Sequence, residues 1–353
     1  MSDGLAGVIA AETVLSHSDP AAAQLWIRGR PLEEAVHELG YEGTVALLWE
    51  GFTDETLSGE DVRTALGAAR QAAFAQLDAW LGPAKSRPPV EATRLCLAAL
   101  PDTAGPAEIA GALAVGVAAI LRQSQGKDPV WPDPALTTAA DLLRMANDAP
   151  ASPATVQALD TYLTVAAENG LGASTFAARV VASTRASLAN AVLAAYAAFT
   201  GPLHGGAPGP VLDMLEEAEA SGYLDGWLDM RLISGARLAG FGNRAFPNGD
   251  PRAALLGAAL RRLGPVSARM RFAALFEARA REALKRHRPG RALNPNLELN
   301  AALLLDACGF PRQAFTPVFA VARVAGWLAH AMEQQTSGRL IRPTARYVGP
   351  PVG

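Results

Sequence analysis

Lysine is nearly missing from this 353-residue chain: Lys85, Lys127 and Lys285 stand among 31 basic side chains, and the rest are arginine. Positive charge is therefore carried almost wholly by planar forks, which suit bidentate pairing with carboxylates and other planar anions. Cysteine is scarce too. Cys96 and Cys308 lie far apart, in stretches that read as apolar helix. Two such residues make neither a disulfide framework nor a zinc site, so buried free thiols in a reducing compartment are expected. Aromatics are only 6% of the chain. A net charge of −3 gives no reason to expect nucleic-acid binding. No Gly-Lys-Ser/Thr phosphate loop and no Gly-x-Ser-x-Gly elbow is present. The most apolar run, Ile109 to Leu121, is too short for a bilayer and ends at Arg122, so it reads as a core helix. Met1-Ser2-Asp3-Gly4 lacks the basic start and long apolar core of a secretion signal, and a cytoplasmic protein without membrane contact is expected.

What is abundant is alanine in long runs, within a composition that is 50% apolar. Such a chain can bury a large core, in two domains, and the small side chains favour closely packed helices over sheets. Helix starts are marked. Ser58-Gly59-Glu60-Asp61 precedes a helical run through Trp80, while Ser152-Pro153 and Asp250-Pro251 each set a capping side chain before proline at the first helical position. Leu159 to Glu168 and Thr175 to Phe199 read as two long helices, broken at Asn169-Gly170-Leu171-Gly172 where polar groups can enter a crevice. Between about Pro208 and Asn300 arginine and glutamate become more frequent and the apolar stripes shorten. No repeat, low-complexity tail or charge block is evident.

The chain holds only five histidines, and Gly201-Pro202-Leu203-His204-Gly205-Gly206-Ala207-Pro208 sets one of them in a glycine-bracketed turn. The glycines allow backbone to approach whatever His204 faces. Two further strings follow in order: Gly240-Phe241-Gly242-Asn243-Arg244-Ala245-Phe246-Pro247-Asn248-Gly249-Asp250-Pro251-Arg252, then Pro295-Asn296-Leu297-Glu298, leading to Phe315 through His330 and Arg339-Leu340-Ile341-Arg342-Pro343. Together they resemble the citrate synthase family. Gly4 to Thr13, Trp26-Ile27-Arg28-Gly29-Arg30 and Ala46-Leu47-Leu48-Trp49 are similar to that family's amino-terminal region. Between about residues 55 and 150 no motif is recognised.

The resemblance implies an all-α, two-domain fold, with 1–207 and 301–353 as a discontinuous large domain and 208–300 as a small helical domain that closes over it. It implies condensation of an acyl-CoA, acetyl or propionyl, with a 2-oxo acid such as oxaloacetate, with no tightly bound cofactor and no metal. Three residues carry the implied chemistry. His204 would hydrogen-bond the thioester oxygen and stabilise the enol, in the manner of an oxyanion-hole donor. Glu298 stands where the family has an aspartate base, and its extra methylene moves the carboxylate by about 1.5 Å. Asn243 replaces the histidine of Gly-Phe-Gly-His-Arg; it can donate a hydrogen bond but transfers no proton near neutral pH. Asn169 likewise occupies a position of the family's oxo-acid histidine. Arg252, Arg323 and Arg342 match the carboxylate-binding arginines, and Arg342 would reach the opposite subunit's site, making a homodimer part of the active site. Pro247 stands where many members carry a basic residue for CoA phosphate; Arg244 and Arg291 are alternatives close by in sequence.

Competing motifs lack context. Gly240-Phe241-Gly242-Asn243-Arg244-Ala245 fits a dinucleotide-binding pattern, but no strand is expected before it. His330 and Glu333 share a helix face at i, i+3, which is weak metal evidence. His17, His37 and His287 read as surface residues. Two functions follow: a synthase whose substrate or rate is altered by Asn169 and Asn243, or a dicarboxylate-binding regulatory subunit, alone or in a heteromer with an active paralogue.

Overall fold

A computed structural model describes residues 7–53, 56–201, 204, 208–243, 246–263, 267–290 and 293–350. Helices dominate. The one sheet among the described residues is a small antiparallel meander near the amino terminus, β1 Ser16–Asp19, β2 Gln24–Ile27 and β3 Arg30–Pro31, with His17 opposite Trp26 and Ile27 opposite Arg30. It buries Leu15, Leu25 and Ile27 and leaves its other face to solvent. A short turn of helix, α1 Leu32–Glu34, runs through a π turn into α2 Gly40–Trp49.

The next helices form the main apolar mass: α3 Gly59–Phe74, α4 Asp78–Ala84, α5 Pro89–Ala98, α6 Pro106–Ser124 and α7 Thr138–Asn147. Ser58 and Asp61 close a capping box on α3, satisfying donors that the helix itself leaves open. The run expected through Trp80 breaks after Phe74, where turn residues 75–77 redirect the chain into α4. Small residues set the spacing of α6. A Cβ on Gly111 would lie 2.7 Å from that of Ala69 in α3, and one on Gly116 2.5 Å from the Cys96 sulfur in α5. Both cysteines are free and buried, as expected.

α8 Pro153–Ala167, α9 Ala173–Ser183 and α10 Leu188–Phe199 follow, then α11 Pro208–Ala220, α12 Leu224–Ile233, α13 Pro251–Arg262, α14 Ala268–His287, α15 Leu297–Ala307, a 3-10 turn at Arg312–Ala314 and α16 Phe315–Ser337. The single helix expected over Thr175 to Phe199 is two. Arg185 takes a left-handed φ of 64°, and Ser187 caps α10 through the Asn190 N–H. α6 and the Arg312–Thr336 helix are long and apolar enough to cross a membrane, yet 78% and 94% of their apolar windows are buried inside the protein. They are core helices. α16 packs against α2, α5, α6, α8, α9 and α10. That central position matters, because the middle of α16 faces the turn between α8 and α9.

Candidate active site

His204 follows α10 in a turn closed by its own N–H on the Gly201 carbonyl, 2.9 Å away. Its Nε2 lies 3.3 Å from the Ser174 N–H and 2.8 Å from the Ser174 Oγ. Nε2 thus accepts from the first turn of α9, which assigns the neutral ring's proton to Nδ1. Trp327 Nε1 donates to the same Ser174 oxygen at 3.1 Å, and the Phe199 ring meets the imidazole edge-on. Burial, and then the charge of Arg323, lower the His204 pKa. The group is therefore a neutral imidazole in the working pH range, suited to stabilising a developing oxyanion.

Asn169 sits half-buried in the turn between α8 and α9. Gly170 in this turn has φ +65°, and Gly172 lies against His204, with 3.8 Å from its would-be Cβ to the ring Cε1. Arg323, on the face of α16 below, is 4% exposed; its Nε donates to the Ala166 carbonyl at 2.5 Å and its guanidinium stands over Phe319. Burial pushes its pKa down to about 10, against the pull of Glu168.

The second half of the site is built by pairing two strings distant in sequence. Gly242 N donates to the Asn294 carbonyl at 2.8 Å, Asn296 N to the Gly240 carbonyl at 2.9 Å, and Asn296 Nδ2 to the Gly242 carbonyl at 2.9 Å. Gly240 and Gly242 both have φ near +80°, a conformation that side chains other than glycine rarely take. The pairing sets Asn243 beside Asp250, which caps α13 and is the hub of this region. Its carboxylate accepts from Asn243 Nδ2 at 2.9 Å, Arg252 Nε and Nη2 at 2.9 Å each, and the Arg252 and Leu297 N–H groups. Burial would raise the Asp250 pKa, but Arg252 and Asn243 outweigh it and hold the group ionised.

Glu298, in the first turn of α15, is capped through its N–H by Asn296 Oδ1 at 3.0 Å. Burial raises its pKa, against Asn296 and Arg252. A carboxylate whose pKa is raised is a better proton acceptor than an exposed one. The charge of Arg252 reaches both Glu298 and Arg323, and that of Arg323 reaches His204. Four of the seven expected residues, His204, Arg323, Arg252 and Glu298, are therefore linked electrostatically; Asn243 joins them through its bond to Asp250, and Asn169 lies in the turn beside His204. Arg342 is apart from them. It is exposed on the tail after α16, next to Ile341, whose N–H bonds Ser183 at the opposite end of α9 from Ser174.

A cleft of 780 Å³ opens beside Asn243, lined also by Arg237, Leu238, Phe241, Pro247 and Arg288. Arg244 and Arg291, the expected basic alternatives, lie outside the described residues, as do Pro202, Leu203, Gly205, Gly206 and Ala207 around His204. No group of three or more His, Cys, Asp or Glu is placed to hold a metal among the described residues. His330 is fully buried and bonded to Glu168, not exposed for a metal. His17 and His37 are surface residues as expected; His287 is half-buried against Asp229 at 2.7 Å, because the end of α14 packs on α12. From the sequence Asp250 reads only as a helix cap, and Glu168 and Ser174 only as neighbours in the family-like segment around Asn169, with no role of their own. The Asp250-Pro251-Arg252 string held the first signal, and the segment from Ala167 to Thr175 held the others, without marking what these two side chains touch.

A family model for the citrate synthase C-terminal domain matches residues 4–344. The citrate synthase of Haloferax volcanii is 33% identical over 98% of this chain and 95% of its own. A Mycobacterium tuberculosis 2-methylcitrate synthase is 32% identical over 98% and 90%. "Putative citrate synthase 2" of the same species is 45% identical over a shorter segment, 56% of this chain and 52%, about half, of that relative's length. Among solved structures, citrate synthase from Thermotoga maritima MSB8 superposes with a TM-score of 0.85 at 30% identity, over 99% of this chain and 96% of that one. With the fold, the paired motifs and these matches over nearly the whole length, the chain belongs to the citrate synthase family.

Proposed function

We propose that this protein condenses an acyl-CoA, acetyl or propionyl, with a 2-oxo dicarboxylate such as oxaloacetate. The observation that carries the reading is the burial of Arg252 and Arg323 beside a neutral histidine and a carboxylate of raised pKa. Arg252 is already paired with Asp250 and Arg323 feels the charge of Glu168, and two such guanidiniums, buried and kept charged, can also take the carboxylates of a dicarboxylate. Glu298 takes a proton from the carbon next to the thioester, His204 donates to the thioester oxygen as the enol forms, and that carbon attacks the keto carbonyl of the oxo acid. Water then cleaves the thioester and releases the CoA thiol. Asn243 offers an amide N–H near that carbonyl but no proton, so the alkoxide must take its proton elsewhere.

The cleft lined by Arg237 and Arg288 is the proposed CoA site; these arginines offer positive charge where Pro247 offers none. No tightly bound cofactor is needed. The proposed division is 1–207 with 301–353 against 208–300, in a cytoplasmic homodimer whose Arg342 completes the partner's site. A second reading has one observation in its favour. The Asn243 amide is bonded to Asp250, and a site without a proton donor for the oxo-acid oxygen could bind dicarboxylate and turn over little, as a regulatory or heteromeric subunit. Mass spectrometry of reactions containing oxaloacetate with acetyl-CoA or propionyl-CoA separates the two. Citrate or 2-methylcitrate from the purified chain supports the synthase; oxaloacetate binding without product supports the second reading; neither binding nor product overturns both.

A further inference from the structure

Behind the turn that carries Asn169 lies a chain of buried polar groups unused by the chemistry above. Glu168 is 1% exposed and His330 is fully buried. Glu168 Oε1 accepts from Ser16 Oγ at 2.8 Å, from the Gly170 N–H at 2.5 Å and from His330 Nε2 at 3.1 Å. Arg179 Nε donates to His330 Nδ1 at 2.9 Å, which makes Nδ1 the acceptor and assigns the ring proton to Nε2, facing Glu168. Arg179 continues to Gln334 Oε1 at 2.9 Å and to Glu333, and Glu333 Oε1 accepts the Val14 N–H at 2.8 Å. Every link of this chain orients the next, and it ends on Glu168.

The second oxygen of that carboxylate, Oε2, is buried with no hydrogen-bond partner. It lies over Gly326: a Cβ there would stand 2.6 Å from Oε2 and 2.4 Å from the Ala167 carbonyl. Gly326 is one turn along α16 from Arg323, whose Nε is fastened to Ala166. Burial would raise the Glu168 pKa, but the His330 imidazole, the Arg323 guanidinium and the Ser16 hydroxyl outweigh it and keep the group charged. An unpartnered buried carboxylate oxygen is expensive, and it is retained here beside an equally buried cation.

We propose that Glu168, oriented by His330 and Arg179, is a positioning residue for the oxo-acid end of the cleft: Oε1 fixes the turn that presents Asn169, and Oε2 is the standing countercharge of Arg323. The inference deepens the reading of that site as a dicarboxylate pocket and rests on it. Without Glu168, Arg323 loses its own countercharge, since Asp250 is taken up by Arg252, and the Gly170 N–H loses its acceptor. Glu168→Gln keeps the shape, removes the charge and sets an NH₂ group against one of these donors.

The test compares wild type, Glu168→Gln and the milder Ser16→Ala, which removes one donor at a half-buried position and keeps the fold if Glu168→Gln does not. Hydrogen exchange of the 168–172 turn is read with α10 as the internal reference, and oxaloacetate affinity by calorimetry. Where there is turnover, KM for each substrate is read apart from kcat. The expected result is exchange in the turn at least about tenfold faster, with α10 unchanged, and oxaloacetate affinity and KM weakened by a similar factor while KM for acyl-CoA stays within about twofold. Unchanged exchange in the turn, or equal losses for both substrates, overturns the positioning role. Wild type that fails to bind oxaloacetate overturns the dicarboxylate reading, while the exchange arm still judges whether Glu168 holds the turn.

Discussion

Gly326→Ala is a one-carbon change at which helix propensity and packing predict opposite signs. On propensity alone, alanine in a long helix gains about 1 kcal/mol over glycine. In this structure the added Cβ would stand 2.4 Å from the Ala167 carbonyl oxygen and 2.6 Å from Glu168 Oε2, against about 3.4 Å for ordinary contact. One neighbour is backbone and the other a carboxylate held by Ser16, Gly170 and His330. Neither can swing away, so α8 and α16 must separate by nearly an ångström. Overpacking of this kind costs about 3 kcal/mol at the upper end of its usual range, leaving a net loss of about 2 kcal/mol. With an unfolding entropy of about 2.1 cal/mol/K per residue, the thermal midpoint should fall by about 3 °C. Calorimetry or a dye-based melt reads this, and oxaloacetate affinity should fall with it because the displaced groups flank Arg323. A midpoint that rises by about 1 °C, with affinity unchanged, would refute the close approach of the two helices.

Three further outcomes are expected. The Asp160 carboxyl is pushed up to about 7 by burial and by the charge of Glu42, against the Tyr41 N–H. Its folded pKa thus exceeds the unfolded one, so the stability it contributes is present below about pH 4 and lost as pH rises toward 7; Asp160→Asn should raise the midpoint more at pH 8 than at pH 5, and a pH-independent change would count against this. Asp141→Asn should cost about 3–5 kcal/mol, or about 4–7 °C, because it strips the carboxylate from the buried Arg70, 2.8 Å away; a shift under 1 °C contradicts the pair's role. Asn169→His with Asn243→His should raise thiol release with oxaloacetate by about 10² or more if the missing proton donor limits the rate; a folded double mutant that binds oxaloacetate with no gain would sink that explanation.

The parts of this protein that could be read before its structure are those encoded locally. Ser58, Ser152 and Asp250 announce their helices because a cap acts on donors two or three residues away. The strings around His204, Asn243 and Glu298 are contiguous, and their glycines mark turns. The amino-terminal meander was missed because its two longer strands have four residues each, and its Ala-rich tip, with Ala23 at φ 52°, looks like helix by composition. Ser187 offered a capping signal inside the stretch read as one helix, but alanine on both sides hid the break. The Glu168, His330 and Arg179 chain joins residues 151 and 162 positions apart. No spacing rule reaches that far, and only packing of α16 against α9 and the turn before it brings these groups together. Arg342 shows the reverse case: its motif is clear in the sequence, but within one chain it stands exposed and apart from the other candidate residues.

In the proposed condensation everything turns on Glu298 as the base. The measurement that tests it is release of free CoA thiol by the purified wild type and by Glu298→Gln, with oxaloacetate present and acetyl-CoA or propionyl-CoA as donor. Turnover with one donor is expected, with a loss of at least about 10² in rate on the substitution and oxaloacetate binding retained. A Glu298→Gln protein that releases thiol as fast as wild type would contradict it.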